Sequence, residues 1–188
     1  MVEDITLINA VLNGERPAFQ ALVERYQHFV FTIALRVLKS REEAEEVAQD
    51  VFVKVYKTLS SFEQKSKFST WLYTITYRSA IDAARRKQFE THSIDGNADF
   101  LHLEDEHNLM NSVQQSDLQQ QLRKAIDKLK PDDAALITLY YLNEKPVKEI
   151  AEIIGLTETN IKTKLHRIRE LLKTHLMEQL HAEINDII

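Results

Sequence analysis

A chain of 188 residues with 44% apolar and 28% charged side chains has the composition of a globular protein, sized for one medium domain or two small ones, which excludes disorder throughout. The absence of cysteine excludes a disulfide framework, a thiolate zinc site and a cysteine nucleophile. A net charge of −5 leaves phosphate binding to local basic patches, since the chain as a whole repels polyanions.

No stretch approaches the ~20 apolar residues of a membrane span, and the opening MVEDITLINA lacks the basic start of a secretory signal, so a cytoplasmic location is expected. Glycine occurs only at Gly14, Gly96 and Gly155, and proline only at Pro17, Pro131 and Pro146. Long segments therefore run without a breaker, and an all-α fold is expected. No alternating run demands a strand.

In chain order, the first strong amphipathic stretch is 18–38, with Phe19, Leu22, Val23, Tyr26, Val30, Ile33, Ala34 and Val37 on one face. Residues 42–59 follow with Ala44, Val47, Ala48, Val51, Phe52, Val55, Tyr56 and Leu59, opened by a capping box of Ser40 and Glu43. The opposite side of that helix carries Glu46, Gln49 and Asp50. Next comes KFSTWLYTITYRSAIDAARRK, residues 67–87, which interleaves Phe68, Trp71, Tyr73 and Tyr77 with Lys67, Arg78, Arg85, Arg86 and Lys87. Basic groups bind phosphates, and exposed aromatics stack on unpaired bases or wedge a base step. Trp71, Leu72, Ile75 and Ile81 read as core, whereas Tyr73 and Tyr77, four apart on one face, are the expected base contacts.

Charge changes sharply along the chain. Residues 65–88 carry six basic side chains against one acid, and residues 89–117 carry seven acids with no Lys or Arg. The second stretch is polar and weakly periodic and reads as a flexible acidic linker. His92, His102 and His107 lie within it at spacings that fit no rigid ligand set, so no metal site is expected. Beyond it, 117–129 places Leu118, Leu122, Ile126 and Leu129 on one face. The expected organisation is two small helical domains, 1–90 and 116–188, joined by a linker over 91–115.

The most informative stretch is EIAEIIGLTETNIKTKLHRIR, residues 149–169. Ile150, Ala151, Ile153 and Ile154 give a first helix its buried side, Gly155 supplies a left-handed turn residue, and Thr157 is placed to cap a second helix. Leu156 and Ile161 stand where a hydrophobic staple would sit. Ile161, Leu165, Ile168 and Leu172 form the inner face of the second helix, leaving Thr159, Lys162, Thr163, His166 and Arg169 outward with Lys164 and Arg167 at the flanks. This is the steric pattern of a helix-turn-helix whose second helix enters the major groove. A hairpin that merely packs would not need seven basic residues against four acids over 145–175.

AEEVAQDVFVKVYKTLSSF, then KFSTWLYTITYRSAIDAARRK, then an acidic linker, then LKPDDAALITLYYLNEKPVKEIAEIIGLTETNIKTKLHRIRELL resembles, in that order, a bacterial RNA polymerase sigma factor of the extracytoplasmic-function (ECF) type. The resemblance implies a transcription initiation factor with a region 2-like domain and a region 4-like domain, whose partners are core RNA polymerase, promoter DNA and an anti-sigma protein. By the same resemblance Glu46, Gln49 and Asp50 match polymerase-binding positions. The loop Ser61–Phe68, with Lys65 and Lys67, matches the segment that captures a flipped base of the minus-ten element, and the helix from Ser69 to Lys87, with Tyr73, Tyr77, Arg78, Arg85 and Arg86, matches the one that bears on melted DNA. Thr159, Lys162, Thr163, Lys164, His166, Arg167 and Arg169 match the reader of the minus-thirty-five element. Thr74 and Arg78 depart from the family's usual basic residue and asparagine, so a minus-ten preference does not carry over. The linker would either thread the polymerase's nucleic-acid path or act as a plain spacer.

The rival readings are a sigma-like decoy, which would bind a regulatory protein without recognising promoters, and an enzyme. Retention of Lys162, Lys164, Arg167 and Arg169 speaks against the first. With no phosphate-binding glycine loop, HExxH or GxSxG, neither catalysis, a cofactor nor a small-molecule substrate is expected.

Overall fold

The breakers fall where helices begin and end. In the computed structural model, which describes residues 3–93 and 117–187 (side chains for 3–89 and 121–178), α1 spans Asp4–Leu12 and α2 spans Arg16–Leu38, with Pro17 in its first turn. Helix α3 spans Arg41–Thr58, a short 3₁₀ turn Leu59–Ser61 follows, and α4 runs from Phe68 to Ser93. Helix α5 spans Asp117–Asp127. Pro131 opens α6, Pro131–Ile137, which continues into a π-helical turn, Thr138–Leu142. Pro146 precedes α7, Val147–Ile154, and α8 spans Glu158–Ile187. The fold is all-α, as expected, and no strand occurs among the described residues.

Helix α2 is the axis of the N-terminal unit. Leu22, Val30, Ile33, Ala34 and Val37 bury a stripe against Ala44, Val47, Val51 and Val55 of α3 and against Leu72, Ala80 and Ile81 of α4. Each fully buried branched side chain here contributes about 1.5–3 kcal/mol relative to exposure. Asp4 ties α1 to α2 by accepting from Arg25 at 2.5 Å and from the Tyr26 hydroxyl at 2.6 Å. Ser40 caps α3 by accepting from the Glu43 amide at 3.4 Å, while the Glu43 carboxylate pairs with Lys87 of α4 at 2.7 Å. Tyr56, expected on the inner face of α3, is instead half exposed and stacks edge-on against Phe19 at 4.9 Å.

The C-terminal unit is built from α5 to α8 around Leu136, Leu139, Ile150, Ile153, Ile161, Leu165 and Ile168. The linker over 91–115, with His102 and His107, lies outside the described residues except at its start, where α4 continues to Ser93. The two units form one hydrophobic cluster: α4 packs on α7 and α6, and α2 packs on α6 and the π turn. Two cores this small gain by sharing a boundary, because joining them removes apolar surface that each would otherwise leave wet.

Candidate nucleic-acid interface

Three surfaces carry the residues singled out in the sequence. On α3, Glu46, Gln49 and Asp50 are exposed, and half-exposed Val53 continues their row one turn further on. This acidic face has an apolar end and is backed by the buried Val47, Val51 and Val55.

The helix-turn-helix forms as its sequence dictates. Gly155 closes α7 at φ +79°, and the amides of Gly155 and Leu156 both donate to the Ala151 carbonyl. The Thr157 hydroxyl accepts from the Asn160 amide at 3.2 Å and so caps α8. A Cβ added at Gly155 would meet nothing within 4 Å, so a side chain there is opposed by backbone strain alone. Gly155→Val is therefore expected to cost about 1–2 kcal/mol, read as a fall of roughly 2–8 °C in thermal melting.

Helix α8 presents Thr159, Lys162, Thr163 and His166 to solvent. The flanking cations are not free. Asp133 of α6 is buried, its side chain 4% exposed, and it accepts from Arg167 at 3.0 Å with Lys164 at 3.5 Å. Arg169 is exposed and donates to the Tyr141 hydroxyl at 2.8 Å, its guanidinium lying over the Tyr140 and Tyr141 rings. Asp133, Tyr140 and Tyr141 thus orient the basic edge of the helix, and sequence reading passed over them. One signal was present: Asp133 directly precedes the apolar run Ala134, Ala135, Leu136 and Ile137, where a carboxylate turned inward needs a partner.

On α4 and the loop before it, Arg78, Arg85 and Arg86 are exposed, and Lys65 pairs with Glu63. Phe62, Phe68 and Trp71 cluster with centroids 5.3–5.9 Å apart, leaving Trp71 only partly buried. The two tyrosines require a correction. Tyr73, expected to face bases, is 2% exposed, because its ring packs against Tyr26 and Phe29 of α2 and is covered by Lys145 of the C-terminal unit. Burial pushes its phenol up to about 12. Tyr77 is half-buried and donates to Asp132 of α6 at 2.7 Å; burial and that carboxylate raise its pKa. Lys67 is likewise engaged, donating to Glu149 of α7.

Glu149 is the centre of this boundary. It accepts from Lys67 and from the Thr70 hydroxyl at 3.4 Å, with Lys145 at 3.6 Å. Burial opposes its charge, but the hydrogen bond from Lys67 and the charges of Lys145 and Lys67 outweigh burial and hold its pKa below the usual value of 4.5. A carboxylate so depressed adds stability above its unfolded pKa and loses it as pH falls through the folded one. The difference in melting temperature between wild type and Glu149→Gln is expected to be full near pH 7 and to close below about pH 4.5, measured by calorimetry across that range.

Residues 22–90 match Sigma-70 region 2, and residues 119–172 match Sigma-70, region 4. The ECF RNA polymerase sigma factor SigW of Bacillus subtilis is 30% identical over 178 residues, which cover 91% of this chain and 95% of SigW. The ECF RNA polymerase sigma-E factor of Escherichia coli K12 is 30% identical over 184 residues, covering 90% of this chain and 92% of its own. Among solved structures, RpoE from Bartonella quintana in complex with the anti-sigma factor NepR aligns with a TM-score of 0.67 at 21% identity, covering 85% of this chain and 96% of that one. CnrH in complex with the cytosolic domain of CnrY aligns with a TM-score of 0.66 at 20% identity, covering 93% and 97%. The chain belongs to the ECF RNA polymerase sigma factors.

Proposed function

We propose that this chain binds core RNA polymerase through the α3 row Glu46, Gln49 and Asp50 and directs it to promoters by contacts at two elements. Helix α8 reads the minus-thirty-five element in the major groove, with Thr159, Lys162, Thr163 and His166 toward base edges and with Lys164, Arg167 and Arg169 toward phosphates. The N-terminal unit, through the exposed Lys65, Arg78, Arg85 and Arg86, bears on the minus-ten element. On this reading the domains are 1–90 and 116–188, the site of action is the cytoplasm, where core polymerase works, and an anti-sigma protein is a further partner.

The carrying observation is the outward row of α8, polar and basic above a fully buried Ile161–Leu165–Ile168 face. A decoy without promoter recognition would have no use for that row. The test is transcription from genomic promoters by core polymerase supplied with the purified chain, the starts having been mapped in cells after overexpression. Starts sharing elements near minus ten and minus thirty-five support the reading; a chain that binds core polymerase yet initiates nowhere specifically overturns it.

A further inference from the structure

Beside the outward row of α8, one buried carboxylate serves two cations. Asp133 sits in the first turn of α6, directly before the fully buried Ala134, and its side chain is 4% exposed. Arg167 reaches it with a single nitrogen: Nη2 donates to Oδ2 at 3.0 Å and to Oδ1 at 3.3 Å. Lys164 stands 3.5 Å from Oδ1. The Arg167 side chain is nevertheless 59% exposed, and its Nε and Nη1 have no hydrogen-bond partner among the described residues. One corner of the guanidinium is anchored, and two remain to donate.

The second cation sets this cluster apart from a plain ion pair. A buried carboxylate left charged and alone is costly, and with Arg167 as its sole partner it would cancel the charge that a phosphate needs. Lys164 supplies the balancing charge, so the cluster keeps a surplus positive charge at the surface of α8. Arg167 also stands four positions after Thr163, a member of the outward row, and so lies one turn further along nearly the same face. An untethered arginine gives up several rotors on reaching a phosphate; this one gives them up on folding.

We propose that Asp133 is a positioning residue for the minus-thirty-five contact: from α6 it fixes the Arg167 guanidinium so that Nε and Nη1 meet a backbone phosphate when α8 enters the major groove, while Lys164 balances its charge. This rests on the reading of α8 as the helix that enters the minus-thirty-five element. The proposal carries a sign that separates it from simple charge. Asp133 repels phosphate, so on electrostatics alone its neutralisation would tighten DNA binding. As a positioning residue, its loss loosens binding.

The test compares wild type with Asp133→Asn, Arg167→Ala, the two combined, and Arg167→Lys, each as the full chain in complex with core polymerase. The probe is a fluorescent promoter duplex whose start has been mapped in the transcription test, titrated by anisotropy at several salt concentrations. Asp133→Asn should weaken binding about three- to ten-fold. Arg167→Ala should weaken it at least as much and lower the salt slope by about 1. In the Arg167→Ala background, Asp133→Asn should no longer weaken binding, because no arginine is left to place. Arg167→Lys keeps the charge on an exposed side chain without the fork, and should lose about three-fold or more. That variant carries the test if Asp133→Asn melts early in circular dichroism. Tighter binding by Asp133→Asn, an equal loss with and without Arg167, or wild-type affinity for Arg167→Lys would each overturn the proposal. Failure of the promoter reading itself is seen separately, as absence of specific initiation by wild-type chain with core polymerase.

Discussion

Core RNA polymerase is expected to lose at least 100-fold in affinity for this chain when Glu46 and Asp50 are both replaced by lysine, because like charges brought together at an interface cost several kcal/mol. Both side chains are exposed on α3, on the opposite side from Val47, Val51 and Val55. Exposed substitutions of this kind usually move stability by less than ~0.5 kcal/mol, so the melting temperature should stay nearly fixed. Half-exposed Val53 extends the same row with apolar surface, which gives a docking partner more than charge to bind. A pull-down of core polymerase beside a thermal melt separates the outcomes. Unchanged capture with unchanged stability would reduce this row to solvated surface and remove the mechanical basis of the polymerase contact.

Neighbouring residues on α8 should part company just as sharply. Ile161 is fully buried behind the Gly155 turn, so Ile161→Ala leaves a cavity and is expected to cost about 2–5 kcal/mol of folding stability. In a unit as small as the C-terminal one, that is enough to unfold a large fraction of molecules at 37 °C. Lys162, one position on, faces solvent. Lys162→Ala should leave the melt within ~0.5 kcal/mol, weaken promoter binding by the polymerase complex, and lower the salt slope by about 1 if the ammonium meets a phosphate. Circular dichroism and a promoter titration at several salt concentrations make both comparisons. A folded, fully active Ile161→Ala chain would mean that the hairpin is not the unit described.

The helix-turn-helix was legible because everything that makes it is local. Ala151, Gly155, Thr157 and Ile161 lie within eleven residues, and the turn they form needs no help from the rest of the chain. The α3 stripe was legible for the same reason, apart from Tyr56, where a ring at the edge of the face stacks on Phe19 and remains half wet. Helix α4 was the place where pattern failed. Phe68, Leu72, Tyr73, Thr76, Ala80 and Ile81 are all buried, more than one face can hold, because two different neighbours cover the helix. A polar-looking aromatic on such a helix reads as surface until the second neighbour is known. Asp133 and Glu149 were missed likewise, since their partners, Lys145 four positions before Glu149 excepted, lie 31 or more positions away in the chain, beyond the reach of any spacing rule.

Lys39 turns the corner between α2 and α3 in the left-handed region, at φ 58°, a conformation that suits glycine better than a branched or long side chain. Its ammonium meanwhile reaches across to the Leu129 carbonyl at 3.0 Å, with Arg36, one turn back, on Asp127. The two duties pull in opposite directions. Exchanging Lys39 for glycine would relax the N-terminal unit and at the same stroke cut a tether to the C-terminal one, so a change that raises the durability of one half would loosen its grip on the other. Durability of the parts and cohesion of the whole are therefore separate quantities in this chain, and a single residue trades one against the other.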